Sequence, residues 1–360
     1  MNLVKGLSVP LLTALDEQGR LDAASQRRLC AWAWQAGRGA DIFFPSGTTG
    51  EWNRLSPETL RQVNEECHLA LASLKPSLDG AQPALWAGVT SPKTNDSLAN
   101  IGHALQIGAQ AGVFAPLSMV DDQDPVVFFR DHITPLFERV GRSLPICLYD
   151  NADIAANQER KHLRTADLKQ LSRLDYVLGL KVSAGPKVVG NYLKGARHFK
   201  RSHEFGVYLG NVNLAFSLFK PAHGMAGFVR EHWFRFWLRG ELPVGVVSGP
   251  ANLFPREWKR AWRACLAGEE GLMARYQACF ESLSAAWRFE GKGKKASKSL
   301  ACMKSALESE GILASAAVAG GTPELLDAER QAFLSRYREI KQELASFAPQ
   351  GWTSNKEGCA

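Results

Sequence analysis

The chain has 360 residues, of which 45% are hydrophobic and 22% charged, a profile that excludes a disordered or fibrous protein. No apolar run approaches the ~20 residues of a membrane helix, which argues against a membrane partner. The net charge of +7 is partly local: Lys292, Lys294, Lys295 and Lys298 share a Gly/Ser-containing stretch with no interleaved aromatics, so it reads as a solvated loop and no nucleic-acid partner is expected.

The first ten residues, Met1 to Pro10, lack the apolar core and cleavage site of a secretory signal, so a cytoplasmic location is expected. The seven cysteines show no paired spacing and read as reduced thiols. His198 and His203 lie five apart and His223 and His232 nine apart, and neither pair fits a common metal-ligand motif. They read as surface or satisfied core histidines, and no metal site is expected.

Taken in chain order, short apolar runs ending in small or polar residues recur eight times. They are Gly6–Thr13, Asp41–Ser46, Ala84–Val89, Gly112–Pro116, Leu144–Tyr149, Val177–Lys181, Gly206–Gly210 and Val244–Ser248. Between them lie amphipathic segments with helix-start signals: Ser56-Pro57 and Asp124-Pro125 each place a capping residue before a proline. Leu60, Val63, Cys67 and Leu71 then recur on one helical face. Strand and helix alternate about every thirty to forty residues, as in a β/α repeat. Continuously apolar strands mean burial on both faces. Eight such units over roughly 250 residues predict a closed (β/α)₈ barrel. An open doubly wound sheet would usually carry G-x-G-x-x-G after its first strand, and none follows Thr13.

Beyond Asn252 the pattern becomes helical, with segments expected near 256–267, 270–288, 296–310 and 324–346. The division predicted is a barrel over 1–255, a helical extension packed on it over 256–347, and a disordered tail over 348–360. Between Lys220 and Leu242 the sequence gathers Trp233, Phe234, Phe236 and Trp237, which reads as a buried helix, with a lid or subunit contact as alternatives.

Reactive residues of such barrels sit at the C-terminal strand ends. Lys181 closes the sixth apolar run, where burial disfavours the ammonium form. A neutral amine attacks ketones and forms an imine, which serves as an electron sink. The alternative is a lysine that snorkels past the strand end to water. Gly47-Thr48-Thr49-Gly50 offers backbone N–H groups and two hydroxyls for a carboxylate. Tyr149 offers a phenol for proton transfer. Singly each has a bland structural reading. Together they suit a 2-oxo acid.

The run Gly47-Thr48-Thr49-Gly50-Glu51, then Tyr149 near Asn151, then Gly179-Leu180-Lys181-Val182-Ser183, resembles the dihydrodipicolinate synthase/N-acetylneuraminate lyase family. The likeness runs in order from about Gly6 to about Phe347 and includes Gly245–Asn252 and Lys304-Ser-Ala-Leu307. The resemblance implies that Lys181 forms an imine with pyruvate or a related 2-oxo acid and that Tyr149 relays protons. It implies that Thr48 couples to Tyr149, that Gly47, Thr49 and their neighbouring N–H groups hold the carboxylate, and that Asn151 and Val247 line the pocket. A metal-independent lyase without cofactor, assembled as a dimer or tetramer, is the expectation that follows.

Four departures from the family pattern shape the functional reading. Many members carry an interface tyrosine after strand four, where this chain reads Pro116-Leu-Ser-Met-Val-Asp121, with Ser118 or Met119 near that place. The common Tyr-Asn-x-Pro reads Tyr149-Asp150-Asn151-Ala152. The synthase branch places an arginine shortly after that motif for its second substrate, and residues 152–159 contain none, which disfavours synthase activity. Strand seven ends in Gly210-Asn211-Val212, without the acidic residues of the sialic-acid lyases. The leading expectation is an aldolase or lyase. A dehydratase using the same imine and a non-catalytic paralogue that binds a 2-oxo acid are the alternatives.

Overall fold

The computed structural model describes residues 3–347 except 79, 122–123, 200, 221–223, 226, 230–242 and 291–294. Eight parallel strands close into a barrel in sequence order, with the last paired to the first. They are β1 (Gly6–Pro10), β2 (Ile42–Phe44), β3 (Ala84–Gly88), β4 (Ala111–Phe114), β5 (Ile146–Asn151), β6 (Val177–Ser183), β7 (Gly206–Leu209) and β8 (Gly245–Val247). Each falls within or beside one of the eight apolar runs. The ends differ by a few residues: some apolar runs continue past the ladder, while β5 and β6 extend two residues beyond theirs, to Asn151 and Ser183.

Side chains alternate across the barrel wall, so each strand feeds two cores. Facing inward, Ile42, Phe44, Trp86, Val113, Cys147, Tyr208 and Val247 pack into one cluster. Trp86 meets Tyr208 edge-on at 5.0 Å, and Tyr208 donates to the Val4 carbonyl at 2.9 Å, which fills the barrel. Facing outward, Phe43, Leu85, Leu148, Leu180 and Val246 pack with the helices. Ser56 caps the helix Pro57–Ser73 by accepting from Thr59 N–H, and Leu60, Val63, Cys67 and Leu71 are its buried face. Asp124 caps the next proline-led helix by accepting from Val126 and Val127 N–H.

The helix Pro255–Ala267, assigned above to the extension, packs on β1 and on the helix Ala23–Trp34 and so sits in the barrel's helical ring. Helices Glu270–Ala286, Ser299–Ser309 and Asp327–Ala345 follow. They join the barrel through contacts such as Phe280 stacked on Trp258 at 3.9 Å. The lysine-rich stretch differs from a plain solvated loop. Lys295–Ser297 forms β10, antiparallel to β9 (Arg288–Glu290), and Lys298 donates to Glu329 at 2.6 Å. Lys292 and Lys294, the aromatic segment with Trp233, Phe234, Phe236 and Trp237, and the tail 348–360 lie outside the described residues. Among the described residues no helix is long and apolar enough to cross a membrane.

Candidate active site

The pairing of β5 with β6 places the central residues. Ile146 faces Val177 but Cys147 faces Gly179, so Leu178 is the extra residue of a bulge. Beyond it Tyr149 pairs with Lys181 and Asn151 with Ser183. These four residues therefore share the inner face near the C-terminal strand ends. A one-residue slip of β6 would turn Lys181 toward the helices.

Lys181 does not snorkel to water: the residue is 5% exposed. Its Nζ lies 3.6 Å from the Tyr149 ring centroid and 4.8 Å from that of Phe44. Among the described residues no carboxylate comes within ion-pair distance of it. Two other buried lysines are built otherwise. Lys259 Nζ meets Asp41 at 2.7 Å, and Lys304 Nζ meets Glu51 at 2.6 Å.

Tyr149 is the hub of the site. Its Oη lies 3.3 Å from Thr48 Oγ1 and accepts from Asn151 Nδ2 at 3.0 Å. Ser183, paired with Asn151 across the strands, lies on the same face. Burial pushes this phenol up, but the Lys181 charge and the polar side chains of Thr48, Ser183 and Asn151 together outweigh it and hold it below its ordinary value. Cys147, two residues earlier on the same face, is pushed up to about 12 by burial against a smaller lowering from Lys181. It stays a thiol at neutral pH and does not compete as a nucleophile.

The turn after β2 supplies the third part. Two non-glycine residues with left-handed backbone bracket it, Ser46 at φ 56° and Glu51 at φ 60°. Within it, Glu51 N–H returns to the Thr48 carbonyl and Trp52 N–H to the Gly47 carbonyl. The N–H groups of Thr48 and Thr49 donate to nothing among the described residues. Such free donors on a held turn form an anion-binding concavity. Gly47 has a packing reason as well: a Cβ there would come within 2.7 Å of the Phe44 ring that flanks Lys181. Thr49 abuts Gly249, just past β8, where an added Cβ would lie 3.3 Å from Thr49 Oγ1. Val247 is buried among the inward-facing residues.

Lys181, Tyr149, Thr48 and Asn151 are thus brought together, with the Gly47–Gly50 turn following the C-terminal end of β2. Asn151, expected to bind substrate, donates from its amide to the phenol while its Oδ1 accepts from Asp153 N–H. Sequence reasoning gave no role to Ser183 or Phe44. The period of two would have found Ser183, which follows Lys181 as Asn151 follows Tyr149. Nothing in the sequence alone marks Phe44 as a lysine's neighbour. After β4, Ser118 and Met119 are both buried in a short helical turn over Pro116–Ser118 and its exit. Arg160, the first arginine after the Tyr149 motif, donates to the buried Asp167 at 2.6 Å. Among the described residues no group of three His, Cys, Asp or Glu is placed to hold a metal ion.

No family model matches the sequence. Over 274 residues the chain is 26% identical to the 4-hydroxy-tetrahydrodipicolinate synthase of Ruegeria pomeroyi, covering 75% of this chain and 79% of that protein. Among solved structures, the dihydrodipicolinate synthase of Bacteroides thetaiotaomicron superposes with a TM-score of 0.74 at 21% identity, covering 94% of this chain and 99% of that one. The wild-type sialic acid aldolase of Ruminococcus gnavus superposes with a TM-score of 0.73 at 16% identity, covering 96% of this chain and 99% of that one. At those identities the structural likeness carries the fold.

Proposed function

We propose that this chain, a divergent member of the dihydrodipicolinate synthase/N-acetylneuraminate lyase family, is a metal-independent lyase that condenses Lys181 with the ketone of pyruvate or a related 2-oxo acid. One observation carries the reading: Lys181 is a buried amine with no carboxylate partner among the described residues, set against the phenol of Tyr149. The Lys181 nitrogen adds to the ketone carbon, and the ketone oxygen leaves as water to give an iminium. Cleavage of the neighbouring carbon–carbon bond sends its electron pair into the iminium, and an aldehyde departs from the resulting enamine. Tyr149 relays the proton: its phenol takes up the one lost from the cleaved alcohol as its own passes to the enamine carbon, an exchange suited to a phenol held below the ordinary value, and water then hydrolyses the imine to release the 2-oxo acid and free Lys181.

The free N–H groups of Thr48 and Thr49 suit the substrate carboxylate. Thr48, Asn151 and Ser183 around the phenol support a relay complete within one chain, which fits the absence of a tyrosine from 116–121. The engagement of Arg160 with Asp167 supports cleavage over the synthase reaction. The test is borohydride reduction with pyruvate, followed by mass spectrometry of the digested protein. A reduced adduct on Lys181 that disappears in a folded Lys181→Ala variant is the expected result. No adduct with pyruvate or any other 2-oxo acid tried would sink the reading and leave a binding protein.

A further inference from the structure

The turn that would hold the carboxylate is not held by the barrel alone. Its last residue, Glu51, is 1% exposed and lies at a left-handed φ of 60° that its side chain does not favour. Such a conformation persists only where the surroundings over-determine it. The Glu51 carboxylate is gripped by three donors from the C-terminal extension. Lys304 Nζ donates to Oε2 at 2.6 Å, while Ala319 N–H and Thr322 Oγ1 donate to Oε1 at 2.8 and 2.6 Å. Lys304 is 0% exposed and also donates to the Ala317 carbonyl at 2.8 Å. Thr322, which beside Pro323 reads in the sequence as a helix cap, is instead spent here, with Arg54 donating to it at 2.7 Å; the last helix begins at Asp327.

A buried ion pair of this kind is a poor source of stability, and an apolar pair of similar shape often serves as well. Burial holds the Lys304 ammonium below its ordinary value despite the attraction and hydrogen bond of Glu51. Packing alone does not call for charges at these two positions. What the pair does fix is the exit of the turn whose Thr48 and Thr49 N–H groups are free.

We propose that Lys304 and Glu51 are positioning residues for the carboxylate-binding turn Gly47–Gly50, so that the C-terminal extension sets how tightly a 2-oxo acid is held. This rests on the imine reading above. Neither residue touches the ketone, and so their effect falls on recognition of the carboxylate and not on the amine.

The test compares borohydride trapping on Lys181 with pyruvate and with pyruvamide, which has the same ketone and no carboxylate. In the doubly neutral Glu51→Gln/Lys304→Met variant, half-maximal trapping should need about tenfold more pyruvate, with the pyruvamide curve moved less than about twofold. Thr322→Val, which removes one donor and leaves the ion pair, should shift the pyruvate curve alone by about threefold and serves where the double variant does not fold. Equal shifts for both ketones, or none for either, would mean a merely structural pair and overturn the proposal. A wild-type protein that traps neither ketone removes the imine reading itself, and this proposal with it.

Discussion

Lys304 in the extension and Lys181 at the barrel mouth are both buried, yet their surroundings are opposite. Lys304 meets a carboxylate and a carbonyl at hydrogen-bond distance, and Lys259 at the other end of the barrel meets Asp41 and the Gly37 carbonyl in the same way. Lys181 meets the faces of Tyr149 and Phe44. A lysine that stays charged is buried together with its counter-charge, because an unpaired charge in a low-dielectric interior is costly. An amine that must lose its proton to react is better placed without one. The difference separates lysines held by a counter-charge from the one proposed to react, and substitutions can break or sharpen that division.

The largest effect is expected at Lys181. Lys181→Met should lower turnover by on the order of 10⁴-fold while leaving thermal stability equal or higher, because an apolar side chain replaces an unpaired amine. Steady-state kinetics with calorimetry checks both halves. A clear fall in melting temperature would place Lys181 with the counter-charged lysines. Tyr149→Phe should come next, with turnover down by about 10²–10³-fold and the imine still trapped by borohydride, since the proton carrier is lost and the nucleophile kept. Lys304→Met inverts the pattern: about 3–5 kcal/mol of folding stability should be lost in denaturant titration, because Glu51 is left buried and charged. Lys259→Met should cost less, about 1–2 kcal/mol, since the Asp41 side chain is 27% exposed and can turn to water.

The smallest effect concerns pH. The neutral phenol of Tyr149 is lost on the alkaline side, and it is lost below its ordinary range because the Lys181 charge and its hydrogen-bond donors outweigh burial. Thr48→Val removes one of the groups that lower it. The alkaline limb of the pH–rate profile should therefore move to higher pH in that variant, and a shift to lower pH would show that Thr48 does not act on the phenol.

Much of the fold was legible because its signal is local. Eight apolar runs separated by capped amphipathic segments need no tertiary information, and the first-turn prolines at Pro57 and Pro125 mark helix starts by backbone constraint alone. Lys181, Tyr149 and Thr48 were legible as candidates because strand ends concentrate chemistry in this architecture. Their distances and mutual orientation were not, because these depend on register across strands that are tens of residues apart. Thr322 illustrates the miss: beside Pro323 it reads as a helix cap, and only the path of the extension brings it to Glu51, 271 positions away.

The sequence by itself determined that the chain alternates strand and helix, that its strands are buried on both faces, and that a lysine, a phenol and a glycine-flanked pair of threonines close three of them. These follow from residue types and short spacings, which the chain carries without folding. Only the tertiary structure decided which way Lys181 points, through the single extra residue Leu178 that sets β6 against β5. It alone decided that Lys304 carries a carboxylate and Lys181 does not, because a counter-charge is supplied by whichever distant segment the packed core brings within about 3 Å.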